Sequence, residues 1–178
     1  MELANLNNTL RKFGKFVVQQ ARTRLTKNRT KKGKGTTSSA GQLYKSIAYI
    51  LEEDKGRLYF EMEDYGMYQD RGVSGTKVKY KTPFSYTSKQ PPTKSLADWA
   101  FKKRLLRDDQ GKFKKGSYQS LGFVIARSIK EKGLKPSLFF TKPFEQAFAK
   151  LPDDIARAIA DDIENIITQC VLHTQKLM

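Results

Sequence analysis

The sequence contains few of the side chains that enzymes and metalloproteins use for chemistry. It has one cysteine, Cys170, and one histidine, His173, among 178 residues. A single cysteine excludes an internal disulfide framework and a zinc site built from several cysteines. Cys170 falls on the apolar face of a predicted helix and His173 near the end of that helix. We therefore expect a packing role for Cys170 and a surface position for His173.

Long hydrophobic runs are also missing. No apolar stretch approaches the roughly 20 residues of a membrane-spanning helix, and the opening residues MELANLNNTL lack the apolar core of a signal peptide. With the lone cysteine, these absences predict a protein made in a reducing cytoplasm, without membrane contact. The hydrophobic fraction of 38% and mean hydropathy of −0.63 predict a modest core. The length predicts one domain over residues 1–178.

No template for nucleotide or metal chemistry is complete. The segment GKGTT at 33–37 lacks the earlier glycine and the spacing of a phosphate-binding loop. Four carboxylates remain as candidates for a Mg²⁺-dependent nuclease: Glu61, Glu63, Asp64 and Asp70. Glu61 and Glu63 share the outer face of a predicted strand, which favours solvated acids. We predict no enzyme, cofactor or metal, with the nuclease as a distant alternative.

Acidic residues are the minority, and the two signs of charge are segregated along the chain. Lys and Arg number 34 against 18 Asp and Glu, a net charge of +16. Residues 22–35 and 71–97 contain no acid, whereas residues 143–178 hold six acids and three bases. Such a field favours a polyanion or an acidic protein surface as partner and does not choose between them. The candidate contact residues are Arg22, Arg24, Lys27, Arg29, Lys31, Lys32, Lys34, Lys77, Lys79 and Lys81.

Hydrophobic periodicity predicts an α+β fold. Apolar residues recur every three or four positions over 3–28, which is typical of a long amphipathic helix. Two β-prone runs, 43–53 and 57–64, flank an Asp-Lys-Gly turn and predict a hairpin. We expect a small antiparallel sheet packed against long N- and C-terminal helices. Basic loops are predicted near 29–42, 73–94 and 107–117.

Other segments give further local predictions. KVKYK at 77–81 alternates cations with apolar residues, as in an edge strand. Helices are predicted over 95–106, with Ser95 as N-cap, and over 118–132, with Gly133 as the stop and Phe123 and Val124 among the candidates for its inward face. The last helix is predicted to start near Pro152 and to carry an apolar face of Ile155, Ile159, Ile163, Ile166 and Cys170.

The stretch YGMYQDRGVSGT at 65–76 combines three glycines with two tyrosines. It predicts a strand ending at Asp64, one turn of helix over 67–69 and an exit through Gly72 with positive φ. Tyrosine provides a large contact area at low rotamer cost, so Tyr65 and Tyr68 indicate an interaction corner. A well-packed corner without a partner is the alternative.

The order of several stretches carries a resemblance. After the amphipathic helix come GQLYKSIAY (41–49), FEMEDYGMYQDRGVSG (60–75) and PSLFFTKPFEQAF (136–148). In this order they resemble the neck or tail-completion proteins of tailed bacteriophages, also called head–tail joining or minor tail proteins. The matching positions are Gly41, Leu43, Ser46, Ile47, Tyr65, Tyr68, Asp70, Gly72, Pro143, Phe144 and Ala147. Segments 77–94 and 107–117 depart from the family pattern.

The resemblance implies a structural role in the virion. Such proteins form a ring between the portal–adaptor complex and the tail, where genomic double-stranded DNA passes through or stops near the channel. It implies a homo-oligomer assembled in the bacterial host cytoplasm, with basic segments facing DNA or acidic neighbours. The implied subunit or partner contacts are Tyr65, Tyr68, Asp70, Gly72, Phe139, Phe140, Pro143 and Phe144. The alternative is a sequence-independent nucleic-acid-binding protein of the cytoplasm.

Overall fold

The computed structural model describes residues 3–30, 41–107, 110–112 and 115–176. It confirms the α+β class, with small antiparallel pairs of strands among predominantly helical elements. The helices are α1 (Ala4–Thr30), α2 (Gly41–Ser46), α3 (Tyr65–Arg71), α4 (Thr93–Lys102), α5 (Tyr118–Lys132), α6 (Thr141–Phe148) and α7 (Leu151–Lys176). The strands are β1 (Ala48–Glu52), β2 (Arg57–Glu61), β3 (Val73–Ser74) and β4 (Gly133–Leu134).

The chain divides into two units. Unit 1 comprises Met1–Gly66 and Leu138–Met178, and unit 2 comprises Met67–Ser137. Unit 1 therefore contains the first and last parts of the sequence, and unit 2 is the intervening part. That residues 1–178 act as one domain stays a prediction.

The core of unit 1 forms along α1. Val17, Ala21 and Leu25 repeat every four residues on α1 and are buried. Val18, Ala21 and Leu25 pack in one cluster with Leu43, Ile47 and Phe139.

Four phenylalanine rings join α1, the hairpin and α6 in unit 1. Phe60 of β2 meets Phe13, Phe140 and Phe144 edge-to-face, with ring centroids 5.2 to 6.0 Å apart. Edge-to-face pairs of this kind add about 0.5–1.5 kcal/mol each beyond the burial of their area. This cluster holds the hairpin and α6 against the long N-terminal helix.

The predicted hairpin forms, but its first half differs from the prediction. β1 and β2 pair antiparallel from Ala48↔Glu61 to Glu52↔Arg57, joined by a one-turn 3-10 helix, Glu53–Lys55, and by Gly56 at φ 58°. The strand predicted over 43–53 is wrong before residue 48, because 41–46 is helix α2. Leu43 and Ile47 are four residues apart, so a helix turns both side chains into the core.

Unit 2 contains a helical hairpin and a short ladder. α4 and α5 pack on each other with a very close approach: a Cβ on Gly122 would lie 2.7 Å from the Thr93 carbonyl oxygen and 2.9 Å from the Ala97 Cβ. β3 pairs antiparallel with β4 through Val73↔Leu134 and Ser74↔Gly133. The ladder joins the segment after α3 to the residues that end α5.

The edge strand predicted over 77–81 does not form. The amides of Thr76 and Lys77 donate instead to the carbonyl oxygens of Lys130 and Glu131, each at 2.9 Å. The last carbonyls of an α-helix have no partner within the helix. The segment therefore caps the end of α5 instead of extending a sheet.

The other helix predictions are confirmed in part. α5 has the predicted bounds, with Gly133 as its C-cap at φ 73°. α4 begins two residues before Ser95, and its N-cap is Pro92, so the Ser95 cap was wrong. Phe123 and Val124 are 51% and 61% exposed and do not face inward, because the close α4–α5 contact is made by the small Gly122 and Ala126.

Candidate interaction surfaces

The corner after β2 has the predicted helix and glycine exit, but the strand ends at Glu61 and not at the predicted Asp64. α3 covers 65–71, longer than the single predicted turn, and the chain leaves it through Gly72 at φ 75°. A Cβ on Gly72 would lie 2.5 Å from the carbonyl oxygen of Leu134, so glycine is required by both conformation and space. The corner is a tightly packed turn that presents its helix to solvent.

The side chains of the corner divide into exposed and buried ones. Tyr65 and Tyr68 are each 46% exposed, which leaves both available to a partner. The Tyr68 ring packs edge-to-face on Phe84 with centroids 4.7 Å apart, so its orientation is fixed. Asp70 is only 4% exposed. We therefore assign Asp70 and Gly72 to the packing of the corner, which corrects their prediction as contact residues.

The phenylalanine-rich segment lies in the core of unit 1. Phe139 and Pro143 are fully buried, and Phe140 and Phe144 belong to the four-ring cluster. The structure therefore makes Phe139 and Pro143 core residues, not surfaces that touch a neighbour. Phe148, one turn after Phe144 and stacked on it at 5.5 Å, is half exposed and extends this cluster to the surface.

Two basic candidates of α1, Arg22 and Arg24, are engaged within unit 1. Arg22 donates through Nη2 to the Ile47 carbonyl oxygen at 2.8 Å, and its guanidinium lies 5.4 Å from the Tyr44 ring centroid. Arg24 donates to the Gln146 amide oxygen at 3.1 Å. Arginines held in this way stabilise α2 and α6 against α1. Their predicted contact with a polyanion has no support in this arrangement.

The remaining basic candidates fall into four groups. Lys27 and Arg29 lie in the last turns of α1, Lys79 and Lys81 are exposed, and Lys31, Lys32 and Lys34 lie outside the described residues. Lys77 donates to a Glu131 carboxylate oxygen at 2.8 Å, and Arg127 donates to the other at 3.3 Å. The hydrogen bond from Lys77 lowers the pKa of Glu131, partly opposed by desolvation and assisted by Arg127.

The carboxylates considered for a nuclease are dispersed. Glu63 accepts from the Gln42 amide at 3.1 Å, and Glu61 is exposed on the outer face of the hairpin. Among the residues that the structure describes, no three His, Cys, Asp or Glu side chains come together as a metal site. Within the same residues, no helix has the length and apolarity to cross a membrane.

A buried carboxylate joins the two long helices of unit 1. Asp162 of α7 is 3% exposed and accepts the backbone N–H groups of Asn5 and Leu6 at 3.0 Å each. These are among the first N–H groups of α1, which has no acidic residue in its own first turn. A carboxylate from α7 thus caps α1 and opposes the positive end of its dipole.

The same contact fixes the direction of α7. Leu151, at its start, clusters with Phe13 and Val17, whereas Asp162 meets the beginning of α1. The two helices are therefore antiparallel, and residues 163–176 of α7 continue past the first turn of α1. Fourteen helical residues span about 21 Å.

The projecting part of α7 carries an exposed apolar strip. Ile163, Ile167 and Val171 follow at four-residue intervals on one face and are 50%, 58% and 51% exposed. Ile159 extends the strip, and Phe16 and Phe148 are also about half exposed in unit 1. The sequence predicts an apolar face through Ile163, Ile166 and Cys170, whereas the exposed strip runs through Ile163, Ile167 and Val171. Cys170 is exposed, so its predicted packing role was wrong. Contiguous apolar surface of this kind is typical of an interaction site.

Net charge is concentrated in unit 2. Its 71 residues hold seventeen Lys and Arg against five Asp and Glu, a net charge of +12, and unit 1 carries the remaining +4. Several of these cations lie on α4, α5 and their connection, which the sequence-based list of candidates does not include. The basic composition of residues 98–135 could have indicated this concentration of charge, but scattered acidic residues divide the stretch into short basic runs.

Comparisons with models of protein families, with curated proteins and with solved structures give no match to this chain. The surfaces described above are therefore the basis for assigning a function to this chain.

Proposed function

We propose that this chain is a structural protein of the bacteriophage head–tail junction that acts as a subunit of a neck or tail-completion ring. In this proposal it connects the portal–adaptor complex to the tail and surrounds or abuts the DNA channel. It acts by docking and has no catalytic role. The observation that carries the proposal is the exposed apolar strip on the projecting half of α7.

The strip supports self-association because water is an unfavourable environment for it. Three half-exposed branched side chains at four-residue spacing offer a continuous ridge for a groove on another molecule. Burying them gains roughly 25 cal/mol for each Å² removed from water. A helix that continues about 21 Å beyond its own support is well placed to reach a neighbour.

A groove in unit 1 offers a receiving surface for that ridge. It lies between α1, α6 and the first half of α7. Phe13, Phe16 and Ala147 line it together with a larger number of polar and charged residues, such as Lys12 and Arg157. The ridge and the groove are different surfaces of one subunit. Such a pair makes a head-to-tail interface, which closes into a ring when the rotation between subunits permits.

The first experiment tests assembly of the purified chain. Light scattering coupled to size exclusion, followed by negative-stain electron microscopy, should detect ring-shaped oligomers. Replacing Ile163 and Ile167 with Asp should shift the chain to monomer with unchanged helix content by circular dichroism. Thr168→Asp, an exposed position on another face of the same helix, is the matched control and should still assemble. If both variants assembled equally, the strip on α7 would not be the assembly surface, and the proposal would be refuted.

The second experiment tests the location. The chain should be present in intact particles in a fixed stoichiometry and should appear at the head–tail junction by labelled electron microscopy. The double α7 variant should produce filled heads without tails. Complete absence of the chain from particles would refute the proposed function.

The charge of unit 2 favours a second candidate, a sequence-independent nucleic-acid-binding protein of the cytoplasm. A net charge of +12 on 71 residues would attract phosphates whether or not the chain assembles. Salt-sensitive DNA binding by a chain that stays monomeric and is not incorporated into particles would support this second candidate.

A further inference from the structure

The described part of the connection between α4 and α5 contains several exposed cations. α4 ends at Lys102, and Lys103 and Arg104 follow directly, all three of them exposed. Lys112 and Lys115 come later in the same connection and are also exposed. We call these five residues the cationic tip. It lies wholly within unit 2.

The tip is held by an ordered base. The Phe101 and Tyr118 rings, one near the end of α4 and one at the start of α5, meet edge-to-face with centroids 5.2 Å apart. Below them, α4 and α5 approach closely at Ala97 and Gly122. Two packed helices joined in this way hold the end of α4, so Lys102 and the two cations that follow it start from an ordered support.

The first residues of the connection form a hydrogen-bonded turn. The Lys103 amide donates to the Trp99 carbonyl oxygen at 3.0 Å, and the Arg104 amide donates to that of Phe101 at 2.9 Å. Arg104 has φ 53°, a conformation uncommon for a residue with a side chain. The fixed turn places Lys102, Lys103 and Arg104 at successive positions on one short segment.

The first three cations of the tip differ from Lys77 and Arg127 in their lack of an ion pair with a described residue. Elsewhere in unit 2, Lys77 and Arg127 share the Glu131 carboxylate. Among the residues that the structure describes, Lys102, Lys103 and Arg104 take part in no ion pair. Like charges at adjacent positions raise the free energy of the isolated chain, and a bound anion would relieve that repulsion.

We infer that the cationic tip binds the phosphate backbone of double-stranded DNA without reading its sequence. Phosphates are contacted mainly by Lys and Arg, and such contacts position a protein without identifying bases. Lysine, by contrast, is depleted in the centre of protein–protein interfaces, and four of the five tip residues are lysines. This composition favours DNA over an acidic protein surface.

The inference deepens the proposed function and rests on it only for the source of the DNA, the genome in the channel. It also changes which residues are expected to face that DNA. Arg22 and Arg24 are engaged within unit 1, and Lys77 is paired, whereas Lys102, Lys103 and Arg104 form no ion pair with another described residue. Binding can be measured on the purified full chain, independently of assembly into particles.

The test compares two variants of equal charge. The tip variant replaces Lys102, Lys103 and Arg104 with Gln. The control variant replaces Lys15, Lys45 and Lys142 with Gln, three exposed cations of unit 1, and so removes the same charge from elsewhere. Circular dichroism and urea unfolding check that each variant folds.

Affinity for two duplexes of unrelated sequence is measured by fluorescence anisotropy over a range of salt concentrations. Loss of three phosphate contacts should reduce the slope of log K against log salt by about 2.7, which corresponds to roughly 500-fold weaker binding at 0.1 M if the two proteins bind equally at 1 M. The control should keep the wild-type slope, and the two duplexes should bind equally. A tip variant that binds like the control would overturn the inference.

Two further outcomes would also overturn it. One is a larger loss on replacing Lys77, Lys79 and Lys81 with Gln than on replacing the tip. The other is tip-dependent binding of poly-glutamate without binding of duplex DNA, which would indicate an acidic protein partner. A chain that reaches the head–tail junction but does not bind DNA through the tip would refute this inference alone. A chain that binds DNA through the tip but is absent from particles would refute only the proposed function.

Discussion

The contact between Asp162 and the first turn of α1 gives the sharpest test of how unit 1 is held together. Asp162→Ala removes a buried carboxylate that accepts two backbone N–H groups, those of Asn5 and Leu6. Both donors would lose their partner at the start of a helix that has no acid in its own first turn. We expect α1 and α7 to separate more easily at this end.

The size of the effect follows from three contributions. Loss of an N-cap costs about 0.5–2 kcal/mol, and a charge facing a helix N-terminus in a partly buried setting adds up to about 2 kcal/mol. Unsatisfied buried donors cost about 1–3 kcal/mol, a term that overlaps the first. We therefore expect Asp162→Ala to lower the free energy of unfolding by about 3 kcal/mol. Asp162→Asn should lie between the wild type and Ala, because its amide keeps one acceptor oxygen and loses the charge.

The assay is urea unfolding followed by far-UV circular dichroism, at a concentration where the chain is monomeric. A loss of about 3 kcal/mol moves the midpoint by about 1–3 M at the usual slopes. Asp161→Ala is the control, because this neighbouring carboxylate is exposed and its loss should cost within about 0.5 kcal/mol. Equal midpoints for the Asp161 and Asp162 variants would refute the capping role.

Three further predictions concern unit 2. Gly75→Ala should lower the free energy of unfolding by about 3 kcal/mol, since its Cβ would lie 2.2 Å from the Glu131 carbonyl oxygen. Gly56→Ala, where the new Cβ meets open space, should lower it by about 1 kcal/mol. Urea unfolding measures both changes. Because Lys77 lowers the pKa of Glu131 when folded, this carboxylate stabilises the protein above the usual Glu pKa of about 4.3 and loses that effect as pH falls through the lower folded pKa. The difference in urea midpoint between wild type and Glu131→Gln should therefore disappear at low pH; a constant difference would contradict this. Tyr68→Ala should lower the free energy of unfolding by about 1 kcal/mol, because it removes the ring contact with Phe84. It should also block the joining of heads to tails, and fully infectious particles would contradict the role of Tyr68 as a contact.

Much of the fold could be predicted because its signals are local. The bounds of α5 follow from apolar spacing and from Gly133, which stops the helix. The turn at Gly56 and the exit at Gly72 follow from the need for positive φ, which glycine meets without a Cβ clash. Helix α2 was missed because Leu43 and Ile47 lie in a short apolar run in which strand and helix patterns coincide.

The interaction surfaces were less predictable, since each depends on what else the chain packs there. Phe139 and Tyr68 are both aromatic residues in Gly- or Pro-containing segments, yet one is fully buried and the other is half exposed. The segment at 77–81 alternates cations with apolar residues as a strand does, but its first N–H groups donate to a carbonyl oxygen at the end of α5.

The sequence by itself determined the bounds of α5, the turn at Gly56, the exit at Gly72 and the net charge of +16. Only the tertiary structure decided that Asp162 caps α1, that α7 continues past the first turn of α1 and that most of the net charge belongs to unit 2. The physical reason is the separation along the chain over which each effect acts. Backbone conformation and periodicity act over a few neighbouring residues, whereas burial and capping depend on partners as far as 157 positions away in the sequence.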